Sequence, residues 1–163
     1  MQDCQVEIKQ VLAALDLSHY SELTFLHALT LAEALKAELV LLNVINTRPL
    51  ESIDRLSALG YDLDRERYLS QLRTERQEVF EREYLARAKA RGVPARLMFR
   101  QGLPWEQIVK AAREEKATLL VMGAKGRSAL EHVLFGTAAE KVFRHAPCPV
   151  VSVRGPEHCR LPA

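Results

Sequence analysis

Apolar residues along this chain fall into short unbroken runs, separated by longer stretches in which they recur every three or four positions. The runs at residues 8–15, 38–45, 117–122 and 150–153 are typical of buried parallel strands. A further run at residues 93–100 alternates more between apolar and polar positions, which favours a strand at the edge of a sheet. The pattern therefore predicts five strands.

Between the runs, four stretches have the apolar spacing of helices. Residues 20–36 carry a broad apolar face, with Ser21 as a candidate N-cap. Residues 62–91 contain neither glycine nor proline and interleave acidic and basic side chains, which indicates a long exposed helix. Pro104 is suited to the first position of a third helix, and Thr137 opens a fourth.

The alternation of strands and helices predicts an α/β fold in which a doubly wound, five-stranded parallel sheet has helices on both faces. The expected strand order is 3-2-1-4-5. No linker or internal repeat interrupts the pattern, so we expect one domain over residues 1–163. Its core would span residues 8–154, and residues 155–163 would form a loose tail.

Composition excludes several classes of protein. The formal net charge of +2 comes without a long basic run, which argues against a nucleic-acid partner. Apolar runs fall well short of the about 18 residues of a membrane span, and no signal peptide is visible. Cys4, Cys148 and Cys159 show neither a CxxC motif nor metal-ligand spacing, which favours a reducing compartment. We therefore expect a cytoplasmic protein.

The candidate chemistry lies after the fourth strand. A loop with Gly123 and Gly126 follows that strand, and Gly136 with Thr137 begins the last helix. Backbone N–H groups and the helix dipole make such a helix N-terminus a site for phosphate. In a doubly wound sheet, this loop would meet the loops at residues 16–18 and 44–47 where the strand order reverses. The sequence thus predicts an anion site at that edge.

Familiar catalytic motifs are absent. No GxGxxG follows the first strand and no GxxxxGK[ST] occurs, which disfavours a dinucleotide dehydrogenase and a Walker-type NTPase. Ser18 and Ser128 have no evident His and Asp partners for a hydrolase triad, and the histidines are too scattered to indicate a metal site. We predict no catalytic or metal-ligating residue. Trp105 is expected to pack on its helix, and Cys148 to behave as a small buried hydrophobe.

The pattern Gly123-x2-Gly126-x9-Gly136-Thr137 resembles the G-2x-G-9x-G-[S/T] signature of ATP-binding universal stress proteins. Flanking segments resemble that family too, and residues 11–18 look like its first strand and aspartate. The resemblance spans residues 8–154 and is most specific in the C-terminal part. It implies a nucleotide-binding stress-response protein of the predicted fold, with at most slow ATP hydrolysis.

The resemblance also implies three groups of ligand-binding residues. Those beside the adenine and ribose would be Ala14, Leu15, Asp16, Val44 and Met122. Those that let the backbone approach the ribose and phosphates would be Gly123 and Gly126. Those at the phosphates, which often carry Mg²⁺ or Mn²⁺ in this family, would be Arg127, Ser128, Gly136, Thr137 and Ala138.

Several alternatives stay open. Asp16 could simply cap the turn that follows it, and Arg127 could be a solvated surface residue. The family resemblance implies a homodimer through residues 150–153, since an exposed edge strand favours pairing. The protein could also have an unidentified protein partner. Two other functions stay open: a dimeric interaction module that binds no ATP, and an adenylating enzyme of the ATP-pyrophosphatase type. The last is disfavoured because Asp16-Leu-Ser18 stands where such enzymes carry a Ser-Gly-Gly-rich loop.

Overall fold

The computed structural model describes residues 7–50, 64–126 and 136–155. Its strands are β1 (Gln10–Ala14), β2 (Glu38–Asn46), β3 (Ala95–Gly102), β4 (Leu119–Gly123) and β5 (Val150–Val153). Its helices are α1 (His19–Leu35), α2 (Arg65–Phe80), α3 (Ala86–Ala90), α4 (Pro104–Glu114) and α5 (Thr137–His145). All strand pairs are parallel and run in the order β3-β2-β1-β4-β5. The predicted fold class and strand order are confirmed.

Alternate residues of the central strands face opposite sides of the sheet and form two apolar cores. Val11 and Val121 pack against α1, α2 and α3, in a cluster that includes Phe25 and Phe80. The other face packs against α4 and α5 through a second cluster. Among the described helices, none combines the length and the apolar character that a membrane span requires. Because helices cover both faces of the sheet, the loops that follow the strands gather at the carboxyl ends of the strands.

Helix α1 begins earlier than the sequence predicts. The N-cap position is Ser18, so the prediction of Ser21 as the N-cap is wrong. The reason is Asp16, whose Oδ1 accepts hydrogen bonds from the Ser18 N–H at 3.0 Å and the Ser21 hydroxyl at 3.1 Å. Such a side-chain bond to the backbone two residues on fixes a turn. The first helical turn is thereby held against the end of β1.

The long helix predicted over residues 62–91 is interrupted. In the described part it begins at Arg65 after the N-cap Asp64, and residues 62 and 63 lie outside the described residues. A π-helical segment, Glu81–Leu85, separates α2 from α3. It directly follows Phe80 and contains Tyr84, and the centroids of these two buried rings are 5.2 Å apart. Ala88 of the following helix is buried in the same apolar cluster as these rings, so the helix faces the core on both sides of the segment.

The two edges of the sheet differ in chemistry. As predicted, β3 lies at an edge, and there Arg96 forms ion pairs with Glu38 and Glu115 while Arg100 pairs with Glu114. The opposite edge strand, β5, has the sequence Val-Val-Ser-Val and carries no charged residue. Charged side chains are a common protection of an edge strand against pairing with another chain. Only β3 has that protection.

Candidate functional site

A cavity of about 420 Å³ opens at the carboxyl ends of β1, β2 and β4. Ten of the residues predicted for the ligand site line it: Ala14, Leu15, Asp16, Val44, Met122, Gly123, Gly126, Gly136, Thr137 and Ala138. The other two, Arg127 and Ser128, lie outside the described residues. The reversal of strand order between β1 and β4 therefore brings together segments that are far apart in sequence.

Asp16 lies at the junction of β1, α1 and the glycine loop. Its Oδ1 accepts the two hydrogen bonds that cap the start of α1. Its Oδ2 approaches the other side, where a Cβ built on Gly126 would lie only 3.0 Å away. Asp16 therefore both caps the turn that follows β1 and lines the cavity, so these two interpretations do not exclude each other.

The three glycines of the predicted signature differ in how closely other atoms would approach a Cβ at their positions. At Gly123, a Cβ would lie 3.0 Å from the Lys125 carbonyl oxygen, a tight contact that the backbone of the loop would have to relieve. At Gly126, a Cβ would make an equally tight contact with the Asp16 carboxylate. At Gly136 the nearest atom would be 3.7 Å away and φ is −69°, so nothing in the described protein demands glycine. Of the three, Gly136 is therefore the one at which the described residues leave ordinary room for a Cβ.

The walls of the cavity are chemically different. Its apolar lining residues include Leu42, Val44, Pro104, Ile108 and Met122. Its charged lining residues are Asp16, Arg76 and Lys125, and the N-terminus of α5 opens into the same space. An apolar slot beside a helix N-terminus suits a ligand with a flat apolar body and an anionic end. Within the described residues, no group of three or more His, Cys, Asp or Glu side chains could hold a metal ion.

Arg76 is a lining residue that the sequence analysis missed, since it comes from α2 and follows no strand. Its guanidinium donates to Asn43 Oδ1 at 2.8 Å, and Asn43 Nδ2 donates to the Leu15 carbonyl at 2.7 Å. Asn43 is fully buried in β2. A polar side chain inside a buried strand needs hydrogen-bond partners. Asn43 was therefore the one sign in the sequence that a polar residue such as Arg76 would lie beside β2. The sequence did not indicate where on α2 the partner would lie.

Comparison with known proteins gives the family. A model of the universal stress protein family matches residues 7–154. The chain belongs to the universal stress protein family. A universal stress protein of Methanocaldococcus jannaschii is 30% identical over 131 residues, which are 80% of this chain and 73% of that protein. The family suggested by the glycine spacing is thereby confirmed.

Solved structures with the same fold include proteins with bound nucleotides. A universal stress protein in complex with cAMP has a TM-score of 0.58 and 24% identity, over 90% of this chain and 97% of that one. The universal stress protein from Archaeoglobus fulgidus in complex with dAMP has a TM-score of 0.59 and 15% identity, over 90% of this chain and 98% of that one. At these identities the likeness establishes a shared fold.

Two residues that the sequence assigned to packing contact the second apolar cluster. Trp105, in the first turn of α4, packs partly against the second apolar cluster, as predicted. Cys148 also packs against that cluster and is half-buried. Burial raises the pKa of the Cys148 thiol, so the thiol stays protonated and behaves as a small apolar group.

Proposed function

We propose that this universal stress protein binds ATP in the cavity at the strand ends and acts as a nucleotide-dependent regulatory or protective factor. One observation carries the proposal: the glycine loop, Asp16 and the N-terminus of α5 line a single cavity. Family membership supports it, since relatives of the same fold were solved with cAMP and with dAMP.

The proposed arrangement follows the chemistry of the walls. Ala14, Val44 and Met122 would flank the adenine, and Asp16 would lie by the ribose. The phosphates would meet the first N–H groups of α5, where the helix dipole favours negative charge. A divalent cation, Mg²⁺ or Mn²⁺, would enter with the phosphates and reduce their charge.

The same residues favour holding ATP over cleaving it. Asp16 is the one carboxylate among the described lining residues, and its Oδ1 already accepts two hydrogen bonds from α1. A general base must lie within reach of the water that attacks the terminal phosphate, whereas Asp16 would lie by the ribose. We therefore propose that any hydrolysis is slow and that occupancy of the cavity is the functional state.

The variant Gly136→Asp tests the phosphate end of the site. An N-cap aspartate accepts hydrogen bonds from the N–H groups of the first turn, the same groups that would bind phosphate. A Cβ at position 136 makes only ordinary contacts with the described residues, and the carboxylate would cap the helix, so we expect the melting temperature of the free protein to be unchanged or slightly higher. We expect ATP affinity, measured by isothermal titration calorimetry, to fall at least tenfold.

The control is Ser70→Asp, which adds the same charge at an exposed position of α2 and should leave ATP affinity unchanged. Unaltered ATP binding by Gly136→Asp would place the ligand elsewhere. A native chain that binds no ATP, with Mg²⁺ present, would refute the proposed function.

We also propose that two copies pair through β5. The Pro149 and Val153 carbonyls accept hydrogen bonds from the N–H groups of Leu120 and Ala124. In a parallel ladder, the backbone groups of the alternate residues, Val150 and Ser152, then point towards the open edge. An edge strand without charged side chains is suited to pairing with a second copy across a two-fold axis.

A further inference from the structure

A second cavity, of about 340 Å³, lies between the first turn of α4 and the exposed side of α5. Its lining residues are Trp105, Thr137, Glu140, Lys141, Arg144 and His145. Thr137 lines both cavities, and Pro104, which lines the first, is the neighbour of Trp105 in the second. The two cavities therefore adjoin at the N-terminus of α5, where the phosphates of a bound nucleotide would lie.

The cationic residues of α5 lead away from that point. Thr137, Lys141 and Arg144 are spaced by four and then three residues, so they share one face of the helix. Given a rise of about 1.5 Å per residue, Lys141 lies about 6 Å and Arg144 about 10 Å beyond Thr137 along the axis. The positive charges thus follow a path along α5 that is about as long as a chain of several phosphates.

Trp105 provides an aromatic surface beside those cations. The Lys141 ammonium lies 5.1 Å from the centroid of the indole, and the His145 ring centroid is 5.5 Å away at an angle of 38°. Indole faces stack bases, and cations beside them bind phosphate. Lys141 would exchange its contact with the ring for a phosphate oxygen, which would leave that ring face to a base.

Arg144 is also available for such an exchange. Its ion pair with Glu140, at 3.0 Å, joins two side chains that are mostly exposed to solvent. Exposed pairs of this kind contribute little to stability, so a phosphate that is more highly charged would compete well for the guanidinium.

We infer that the second cavity binds the distal nucleoside of a dinucleoside polyphosphate. One adenosine would occupy the first cavity, the phosphates would follow Lys141 and Arg144, and the second base would stack on Trp105. The inference rests on the proposed function, because the first adenosine uses the site proposed for ATP. It goes further in naming the ligand class, since ATP has no second base for the indole.

Trp105 makes the inference directly measurable because it is the sole tryptophan of the chain. The full-length protein is titrated separately with AMP, ATP and diadenosine tetraphosphate, and both heat and tryptophan emission are followed. We expect diadenosine tetraphosphate to bind about tenfold more tightly than ATP, in line with one added base stack. We also expect it to quench the emission more deeply than ATP does.

Three variants distinguish specific binding in the second cavity from general attraction of the phosphates to positive charge. Lys141→Met and Trp105→Leu should each abolish the tenfold preference. Lys110→Met removes an exposed lysine of α4 that is outside both cavities, and it should keep the preference. Because Trp105 also packs on the core, Lys141→Met gives an answer even if Trp105→Leu folds poorly.

Equal affinities for ATP and diadenosine tetraphosphate would overturn the inference and leave the proposed function intact. So would a preference that persists in both variants. A chain that binds neither nucleotide would overturn the inference together with the proposed function, and the ATP titration tells these cases apart.

Discussion

At the residue scale, Asn43 connects three elements of the cavity wall. It accepts from Arg76 of α2 and donates to the carbonyl of Leu15 at the end of β1. Two residues further on, Leu17 has a φ of 61°, a left-handed conformation that costs energy in a residue with a branched side chain. The Asn43 bond fixes the backbone just ahead of that strained turn, and so helps to position Asp16.

Replacement of this amide should be costly. Asn43→Leu removes the donor to the Leu15 carbonyl, a buried bond, and the acceptor of the Arg76 guanidinium, a partly buried one. We expect the free energy of unfolding, measured by urea denaturation, to fall by about 1–3 kcal/mol. Asn46→Ala is the control, because the Asn46 bond to the Arg48 N–H is exposed, and its loss should cost less than about 0.5 kcal/mol. Equal losses in the two variants would contradict the role given to Asn43.

The sequence predicted the site residues that come from strand ends and from the glycine loop, but not those that come from helix faces. The former follow from local patterns, since a glycine spacing and a strand end are both visible along the chain. Arg76 and Trp105 depend on how α2 and α4 are rotated against the sheet, and nothing in their own segments shows that. Their place beside the cavities had to come from the structure.

At the element scale, α2 is attached to the sheet unevenly. Its end at Phe80 is buried in the first apolar cluster, together with Tyr84 and Phe25. At its beginning, Tyr68 is 48% exposed, and among the described residues Leu69 packs in a small cluster with Ile45 and Leu50. Apolar burial is the main source of helix stability in a protein, so most of the attachment lies at the Phe80 end.

Two aromatic residues of the same helix give a matched comparison. We expect Phe80→Ala to lower the free energy of unfolding by about 3–5 kcal/mol, because it leaves a cavity in a fully buried site. Tyr68→Ala should change it by less than about 0.5 kcal/mol. Chemical denaturation followed by circular dichroism measures both, and similar losses would show that the exposed half of α2 is as firmly packed as the other.

Long periodic elements were predicted well and their ends less well. All five strands and the helices between them appear in the described part, because buried parallel strands leave unbroken apolar runs. Bounds shifted by a few residues where a side chain decides the start, as Asp16 does for α1. The π-helical segment left no signal in the charge pattern, since it depends on how Phe80 and Tyr84 fit the core.

At the scale of the whole molecule, the contrast between the two sheet edges makes the proposed dimer testable. Ser152→Pro removes a backbone N–H that points to the open edge of β5, and a proline in that position spares the pairing with β4. We expect it to convert a dimer to a monomer in sedimentation velocity.

The control lies on the other edge. Gln101→Pro alters an outward-facing position of β3, whose partner strand is β2, and should leave the sedimentation coefficient unchanged. A native chain that sediments as a monomer, or an undiminished dimer in Ser152→Pro, would contradict pairing through β5.

The contact that a side chain at position 126 would make with Asp16 has an evolutionary consequence. A Cβ there would meet the Asp16 Oδ2 at 3.0 Å, so a larger residue at 126 is favoured by a residue 16 that is smaller or turned away. Turning away would break the bonds that begin α1. The two positions, 110 residues apart in sequence, should therefore change together across related proteins. A lineage that loses this glycine should lose the aspartate as well.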